Sequence, residues 1–236
     1  MQRKSRLTLV MMAALLMVGM VGIQPAKPVQ AANPIRISQA YGGGGNTGAT
    51  YTNDFIELFN SSDTAINLAD WSVQYASSTG NTWDLTTLTG TIPANGYYLI
   101  QESQGAGGTT PLPTPDDTGI ISMSKDKFKV ALVDSNTRLS GACPTGVVDF
   151  LGVGSADCYE GTAAAAAASN TTAAIRRGSG CTDTDDNAAD FEALAPNPRN
   201  TTSTAYVCPV GDTAPAVSST SPTDGGSAQK TDDIVI

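Results

Sequence analysis

The chain has 236 residues, with 22 acidic side chains, 13 basic side chains, no histidine and a formal net charge of −9. An acidic surface repels phosphate backbones, so the composition argues against broad electrostatic binding of nucleic acid. A sequence without histidine excludes Ser-His-Asp and Cys-His nucleophile pairs and histidine-ligated metals. We therefore expect a chain that is not an enzyme by itself.

The first 32 residues have the three parts of a secretory signal peptide. Basic side chains precede an apolar run over residues 7–23, and small residues occupy the −1 and −3 positions of a cut after Ala31. The alternative is an uncleaved membrane anchor, but the run is at the lower length limit for a span and no basic cluster follows it. We predict a signal peptide over residues 1–32, no membrane span after its removal, and an extracellular or periplasmic protein.

All four cysteines follow this segment, and export would deliver them to an oxidising compartment. They are Cys143, Cys158, Cys181 and Cys208. Four cysteines allow three pairings, and the sequential pairing closes the shortest loops. We predict two disulfides, Cys143–Cys158 and Cys181–Cys208. A zinc site is disfavoured because the sequence has no C-x-x-C spacing and no histidine.

Short runs of β-branched and aromatic residues follow the signal peptide, separated by clusters of Gly, Asn, Asp, Ser, Thr and Pro. The predicted strands cover residues 35–41, 54–60, 71–75, 83–85, 97–101, 128–133 and 147–152. Seven short strands at this spacing predict an all-β fold, a β-sandwich with long loops.

Alternation within the strands predicts which side chains enter the core. Trp71, Val73 and Tyr75 fall on one face of their strand, which we take as the inward face. Phe55 and Tyr98 lie in the apolar centres of two other strands, and we predict them to be core residues.

One acidic segment could hold a cation. Asp183, Asp185 and Asn187 place oxygen ligands at alternate positions, with Asp190 close behind, as a hard cation such as Ca²⁺ requires. The segment departs from an EF-hand loop because Ala188 stands where glycine is needed. The alternative is a turn in which Asp and Asn side chains cap backbone amides.

Two further groups of charged residues invite a functional interpretation. Asp54 and Glu57 flank an apolar strand, and two carboxylates are sufficient for glycoside hydrolysis. Nothing marks them as a pair, so we interpret them as a solvated face or a turn. The doublet Arg176-Arg177 is interpreted as a surface feature or as a partner of nearby acids, and not as a ligand site.

Three segments in order resemble the bacterial lamin tail domain. Residues 55–60 read Phe-Ile-Glu-Leu-Phe-Asn, residues 68–71 read Leu-Ala-Asp-Trp, and residues 92–97 read Ile-Pro-Ala-Asn-Gly-Tyr. Later segments resemble the version of this domain at the start of secreted extracellular nucleases and related phosphohydrolases. These segments are residues 148–154, 158–161, 175–177 and 181–187, with Asp190-Phe191 close behind.

The resemblance implies an immunoglobulin-like β-sandwich over residues 33–208, with Trp71 as a core anchor. A boundary falls after Cys208, because residues 209–215 have the composition of a linker. Residues 216–236 contain too few apolar side chains to bury a core. We predict either a disordered tail or the truncated start of a bacterial Ig-like domain, whose opening the segment resembles.

The leading hypothesis is that the chain is an exported, non-catalytic binding or positioning module. It would form the N-terminal accessory part of a larger secreted nuclease or phosphohydrolase. Its partner would be the catalytic domain downstream in the same chain. The alternative is a stand-alone adhesion or carbohydrate-binding module. That alternative needs exposed aromatic side chains, for which Tyr41, Tyr51, Tyr97 and Tyr159 are the candidates.

Overall fold

Strands dominate residues 33–209, the part of the chain that the computed structural model describes. The strands are β1 Ile35–Tyr41, β2 Asn53–Asn60, β3 Ile66–Asn67, β4 Ser72–Ser77, β5 Asp84–Thr87, β6 Thr91–Ile92, β7 Tyr97–Gln104, β8 Asp117–Thr118, β9 Phe128–Val133, β10 Asp149–Val153, β11 Ala173–Arg176 and β12 Phe191–Leu194. A 3₁₀ turn at Gly178–Gly180 and a short helix, α1 at Asn187–Asp190, precede β12. The predicted signal peptide and the predicted tail lie outside the described residues.

The strands form two main sheets that pack face to face. Six strands in the order β12-β11-β1-β2-β7-β8 form the first sheet, and four in the order β10-β9-β4-β5 form the second. A small third sheet pairs β3 with β6. Every strand pair in these sheets is antiparallel except β7 with β8. The chain passes repeatedly from one main sheet to the other, so the predicted all-β sandwich is confirmed.

The predicted strands are found, and the missed ones are short. The strands predicted at residues 35–41 and 128–133 match β1 and β9. β11 and β12 were missed because their sequences, AAIR and FEAL, have little β-branched content. Pairing makes them strands, since Ile175 of β11 lies opposite Gln39 of β1 and β12 pairs along β11.

The main core lies between the two sheets and contains Tyr98, as predicted. Val73 and Tyr75 also enter it, which confirms the inward face of β4. Phe55 is buried, but it belongs to a smaller cluster with Tyr41 on the other face of the first sheet.

Trp71, the predicted core anchor, is less buried than Trp83, for which the sequence analysis predicted no core role. Trp71 is only partly buried and packs against the edge of the main core. It lies in the turn before β4, where its backbone N–H donates to the carbonyl of Leu68 at 3.0 Å. Trp83 is buried instead, in contact with Phe150, and its indole N–H donates to the carbonyl of Gly141 at 2.9 Å.

The structure has both predicted disulfides, in the sequential pairing. Cys143–Cys158 encloses β10 in its loop, and Cys181–Cys208 attaches the end of the described chain beside the 3₁₀ turn. Within residues 33–209, no helix is long and apolar enough to cross a membrane.

Lys129 of β9 is fully buried and holds three loops together. Its ammonium donates to the carbonyls of Gly80 and Ala142 at 2.8 and 2.7 Å, and to Asp157 Oδ1 at 2.6 Å. Gly80 lies in the turn between β4 and β5, whereas Ala142 and Asp157 each neighbour a disulfide cysteine. One buried charge therefore closes the same loop that the first disulfide closes.

Replacement of this lysine by methionine tests the arrangement. Lys129→Met keeps the volume but leaves two carbonyls and a carboxylate without their donor, and each unsatisfied group costs about 1–3 kcal/mol. We expect urea unfolding to show a loss of about 3 kcal/mol. Lys125→Met, at an exposed position, is the control and should change stability little. Equal losses in the two variants would contradict the interpretation.

Candidate functional site

Arg176, at the end of β11, is a fully buried arginine that joins the two sheets. Its Nη2 donates to both carboxylate oxygens of Asp149 in β10 at 2.8 Å. Its Nη1 donates to Asp183 at 2.8 Å and lies 3.5 Å from Asp190. Its Nε donates to the carbonyl of Ile37 in β1 at 2.8 Å. Every side of the guanidinium therefore meets an oxygen acceptor, as a buried charge requires.

Asp149, the partner of Arg176, also contacts both sheets. One of its oxygens also accepts the backbone N–H of Ile37 at 2.5 Å. Burial raises the pKa of Asp149, and the positive charge of Arg176 offsets part of that rise. The bond to Ile37 lies beside an irregularity in the pairing of β1 with β2. Asp149 thus links the second sheet to the backbone of the first sheet.

The four predicted calcium ligands have different surroundings in the structure. Asp183 and Asp190 contact Arg176, which already supplies positive charge to their carboxylates. Asp185 occupies a left-handed turn position with φ 54°. Asn187 is buried and binds the edge of β10. In the described part of the chain, no group of three or more His, Cys, Asp or Glu side chains is arranged to hold a metal. Calcium binding by this segment stays a prediction.

The alternative interpretation of the segment, a capped turn, is the arrangement observed. Asp186 precedes α1, and its side chain accepts the backbone N–H groups of Ala188 and Ala189. It also accepts the hydroxyl of Thr162 at 2.8 Å, and that bond lowers the pKa of Asp186. The carboxylates therefore organise the backbone around β10.

The outer edge of β10 is covered in two ways. The Asn187 side chain accepts from Gly152 N at 2.7 Å and donates to the carbonyl of Phe150 at 2.9 Å, as a neighbouring strand would. Ala165, in the run of six alanines, donates to the carbonyl of Gly152 at 2.8 Å and accepts from Gly154 N at 2.9 Å. These bonds occupy backbone groups that an open edge would offer to another chain.

On the outer face of the first sheet, Glu57 holds residues 195–209, here called the C-terminal strap. Arg199 donates to Glu57 from its backbone N–H at 2.6 Å and from its guanidinium at 2.7 Å. The guanidinium lies 3.6 Å from the ring centroid of Tyr97. The side-chain amide of Gln39 binds both backbone groups of Asn197, at 2.7 and 3.1 Å. The interpretation of Glu57 as solvated was wrong, because the strap covers the face to which it points.

A groove of about 290 Å³ lies between the strap and β12. Its floor and rim present apolar surface beside one ion pair. Leu194 is 46% exposed, and Arg177 pairs with Glu192 at 3.1 Å. The lining residues are Gln39, Ile175, Arg176, Arg177, Gly178, Ser179, Glu192, Leu194, Ala195, Asn197 and Arg199. The groove offers contacts to a small or extended ligand, and Glu192 is the one carboxylate among its lining residues.

Two buried carboxylates lie near the segment after β8. Asp54 accepts the N–H groups of Gly44 and Met123, each at 2.8 Å, and Glu102 accepts that of Ile121 at 2.9 Å. Burial raises the pKa of both carboxyl groups to about 7. The interpretation of Asp54 as solvated was wrong, since the pairing of β2 with β7 shifts register beside it and the side chain turns inward.

The four tyrosines of the carbohydrate-binding alternative do not form an exposed aromatic surface. Tyr41 and Tyr97 are buried. Tyr51 is partly buried against Tyr41, with ring centroids 6.1 Å apart. Tyr159 alone among the four is exposed, at 41%. The four tyrosines therefore present a single exposed ring to a sugar.

A comparison with known families assigns the chain to a family. The sequence model of the Lamin Tail Domain matches residues 28–149, which include β1 to β9. The chain belongs to the lamin tail domain family. Lamin tail domains are Ig-like and generally non-catalytic modules, so the predicted immunoglobulin-like fold is confirmed. The two disulfides of this lamin tail domain are typical of an oxidising compartment.

More distant comparisons add little to the family assignment. A DUF4876 family protein from Bacteroides thetaiotaomicron is 12% identical, and the alignment covers 75% of this chain and 74% of that chain with a TM-score of 0.47. At that distance the likeness carries no functional argument. None of the curated proteins matches the lamin tail chain.

Sequence reasoning missed the partners of the charged residues. The doublet Arg176-Arg177 was interpreted as a surface feature or as a partner of nearby acids. Arg176 is buried and pairs with internal acids, whereas Arg177 is half exposed and is the surface residue. Alternation along β11 could have separated the two, since consecutive strand residues point to opposite faces. No local signal marks the contact of Glu57 with Arg199, which are 142 residues apart.

The sheet-joining role of the arginine predicts a large loss on its removal. Arg176→Met leaves Asp149 and Asp190 buried without their counter-charge, which costs about 3–5 kcal/mol. Arg177→Met, the matched control on the next residue, removes an exposed hydrogen bond to the carbonyl of Ala189 and a surface ion pair worth roughly 0–1 kcal/mol. Urea unfolding followed by circular dichroism measures both. A loss below about 1 kcal/mol for Arg176→Met would contradict the assignment.

The raised pKa of Glu102 predicts that stability decreases as pH rises. Between its ordinary value of 4.5 and about 7, the folded chain keeps a proton that the unfolded chain has lost. The contribution is therefore complete below pH 4.5 and is lost as pH rises through about 7. The loss attributable to Glu102 is at most about 3 kcal/mol.

Glu102→Gln removes one titrating group and should flatten part of this pH dependence. Other carboxyl groups with raised pKa values, Asp54 at about 7 and Glu160 at about 8, keep the rest. Unfolding free energies at pH 5 and pH 8 are the measurement. Asp63→Asn, at an exposed carboxylate, is the control and should keep the wild-type slope. Identical slopes for wild type and Glu102→Gln would show that Glu102 does not titrate in this range.

Proposed function

We propose that this lamin tail domain is an exported binding and positioning module, and the N-terminal accessory part of a larger secreted nuclease or phosphohydrolase. The observation that carries the proposal is that both ends of the sandwich lie at one pole. Arg36, at the start of β1, donates to the carbonyl of Cys181 at 3.0 Å, and Cys181 forms the disulfide with Cys208 at the end of the strap. We call this end, around residues 34–36, Cys181 and Cys208, the proximal pole.

A module with adjacent ends is attached on one side and open on the others. The loop segments at residues 42–50 and 105–110 lie at the opposite end of β1 and β2, where Gly107 N donates to the carbonyl of Gly45 at 2.7 Å. The groove beside β12 lies on the lateral face. Both surfaces stay accessible when the proximal pole is joined to another domain, and this supports a role in binding or positioning.

The buried charged side chains support a non-catalytic role. Arg176, Lys129 and Glu57 each bind acceptors or donors on several elements, and these contacts use their charges for structure. An acid or base that is fully engaged inside the fold is not presented to a substrate. The catalytic chemistry of the parent protein would then belong to a separate domain.

Export is supported from two directions. The sequence of residues 1–32 has the basic, apolar and small-residue parts of a secretory signal. The two disulfides stabilise long loops, and such bonds persist where thiols are not kept reduced.

Two measurements test the proposal. Purified residues 33–236 should release no product from DNA or from a phosphodiester substrate, because the catalytic domain lies elsewhere. The coding sequence beyond Ile236 should continue into a domain with acidic, Asn and His hydrolase motifs. A stop codon directly after Ile236 would end the accessory hypothesis, and turnover that persists through repurification would end the non-catalytic one.

A further inference from the structure

Two neighbouring apolar side chains of the strap are exposed at the proximal pole. Tyr206 is 37% exposed and Val207 is 73% exposed. Their backbone is held on both sides, because Tyr206 N donates to the carbonyl of Asn95 at 2.8 Å and Cys208 is bonded to Cys181. The backbone that carries the two exposed side chains is therefore fixed to the sandwich.

The position of this pair in the chain suggests what covers it. Val207 precedes Val210 by three residues, and three residues reach at most about 11 Å. The chain that follows Pro209 thus starts beside the exposed pair. Residues 210–217 include Val210 and the apolar group Ala214-Pro215-Ala216-Val217.

The other strongly exposed apolar residues have different surroundings. Leu194 lines the groove, Tyr159 lies in the loop after β10 at 41% exposure, and Ile120 follows β8 at 90% exposure. None of the three is adjacent in sequence to the point where the described chain ends. Tyr206 and Val207 are adjacent in sequence, belong to the strap and share the pole with both chain ends, so continuity of the chain favours the following segment as their partner.

We propose that Tyr206 and Val207 form a docking surface for the segment that follows them in the same chain, residues 210–217. This docking gives the lamin tail domain a set orientation relative to what comes after it. The inference rests on the positioning role proposed above and adds its physical means. Burial of the two side chains replaces a free linker by a packed joint, which limits the directions that the module samples.

Hydrogen exchange on residues 33–236 tests the joint. Amides in residues 210–217 should exchange at least about tenfold more slowly in the wild-type chain than in Val207→Asp, because a charge at the surface releases the segment. Ile120→Asp places the same charge at another exposed apolar site and should leave that exchange unchanged. Val207→Asp lies at a solvent-exposed position, and unchanged exchange within β1 and β9 shows that its sandwich is intact.

Three outcomes would contradict the proposed docking of residues 210–217 on Tyr206 and Val207. One is equally fast exchange of residues 210–217 in the wild type and in Val207→Asp. A second is a loss of protection in Ile120→Asp as well. A third is a dimer that Val207→Asp dissociates, seen by light scattering, which would assign the surface to a second copy. None of these outcomes affects the hydrolysis assay or the reading of the coding sequence, so the module role can stand when the joint fails.

Discussion

A guanidinium buried between two sheets is the constraint on which this sandwich depends. Arg176 reaches from β11 to Asp149 in β10 and to the backbone of β1, and it gathers Asp183 and Asp190 from the turn before β12. A charge in a low-dielectric interior is tolerated only when oxygen acceptors surround it. The acidic segment at residues 183–190 is therefore required by the arginine, and its carboxylates fix how β11, β12 and β10 meet.

Buried charged side chains with several polar partners also hold the long loops. Lys129 closes the loop around the first disulfide, and Glu57 with Arg199 holds the strap across the outer sheet face. Long Gly-, Ser- and Thr-rich loops bury little apolar surface, so specific polar contacts and disulfides position them instead. Asp54 and Glu102 differ, because they bind backbone N–H groups and form no ion pair among the described residues. Burial raises the pKa of both carboxyl groups to about 7.

The functional picture follows from this use of charge. Several ionisable groups that sequence patterns present as candidates for chemistry or metal binding, such as Glu57, Asp183 and Asp190, form ion pairs that hold elements of the fold together. The family is generally non-catalytic. The open features are at the surface. They are a lateral groove, loops at one pole, and exposed apolar side chains where the chain leaves the other pole. A rigid body with adjacent ends and free faces is suited to hold or present something else, which is the role we propose.

The sequence by itself determined the positions of the longer strands, because alternation and turn residues are local properties. It also carried the motifs of the family, and loop length favoured the disulfide pairing that the structure has. It did not determine β11 and β12, which become strands through pairing with β1 and with each other. Tertiary structure alone decided which charged residues are buried and what they bind. Glu57 looks solvated until Arg199, 142 residues away, is placed over it. Trp71 matches the family motif for a core anchor, yet Trp83 is the buried tryptophan, since burial depends on which loop covers a sheet face. The acidic turn likewise has its partner in Arg176, and no spacing within the turn itself indicates that arginine.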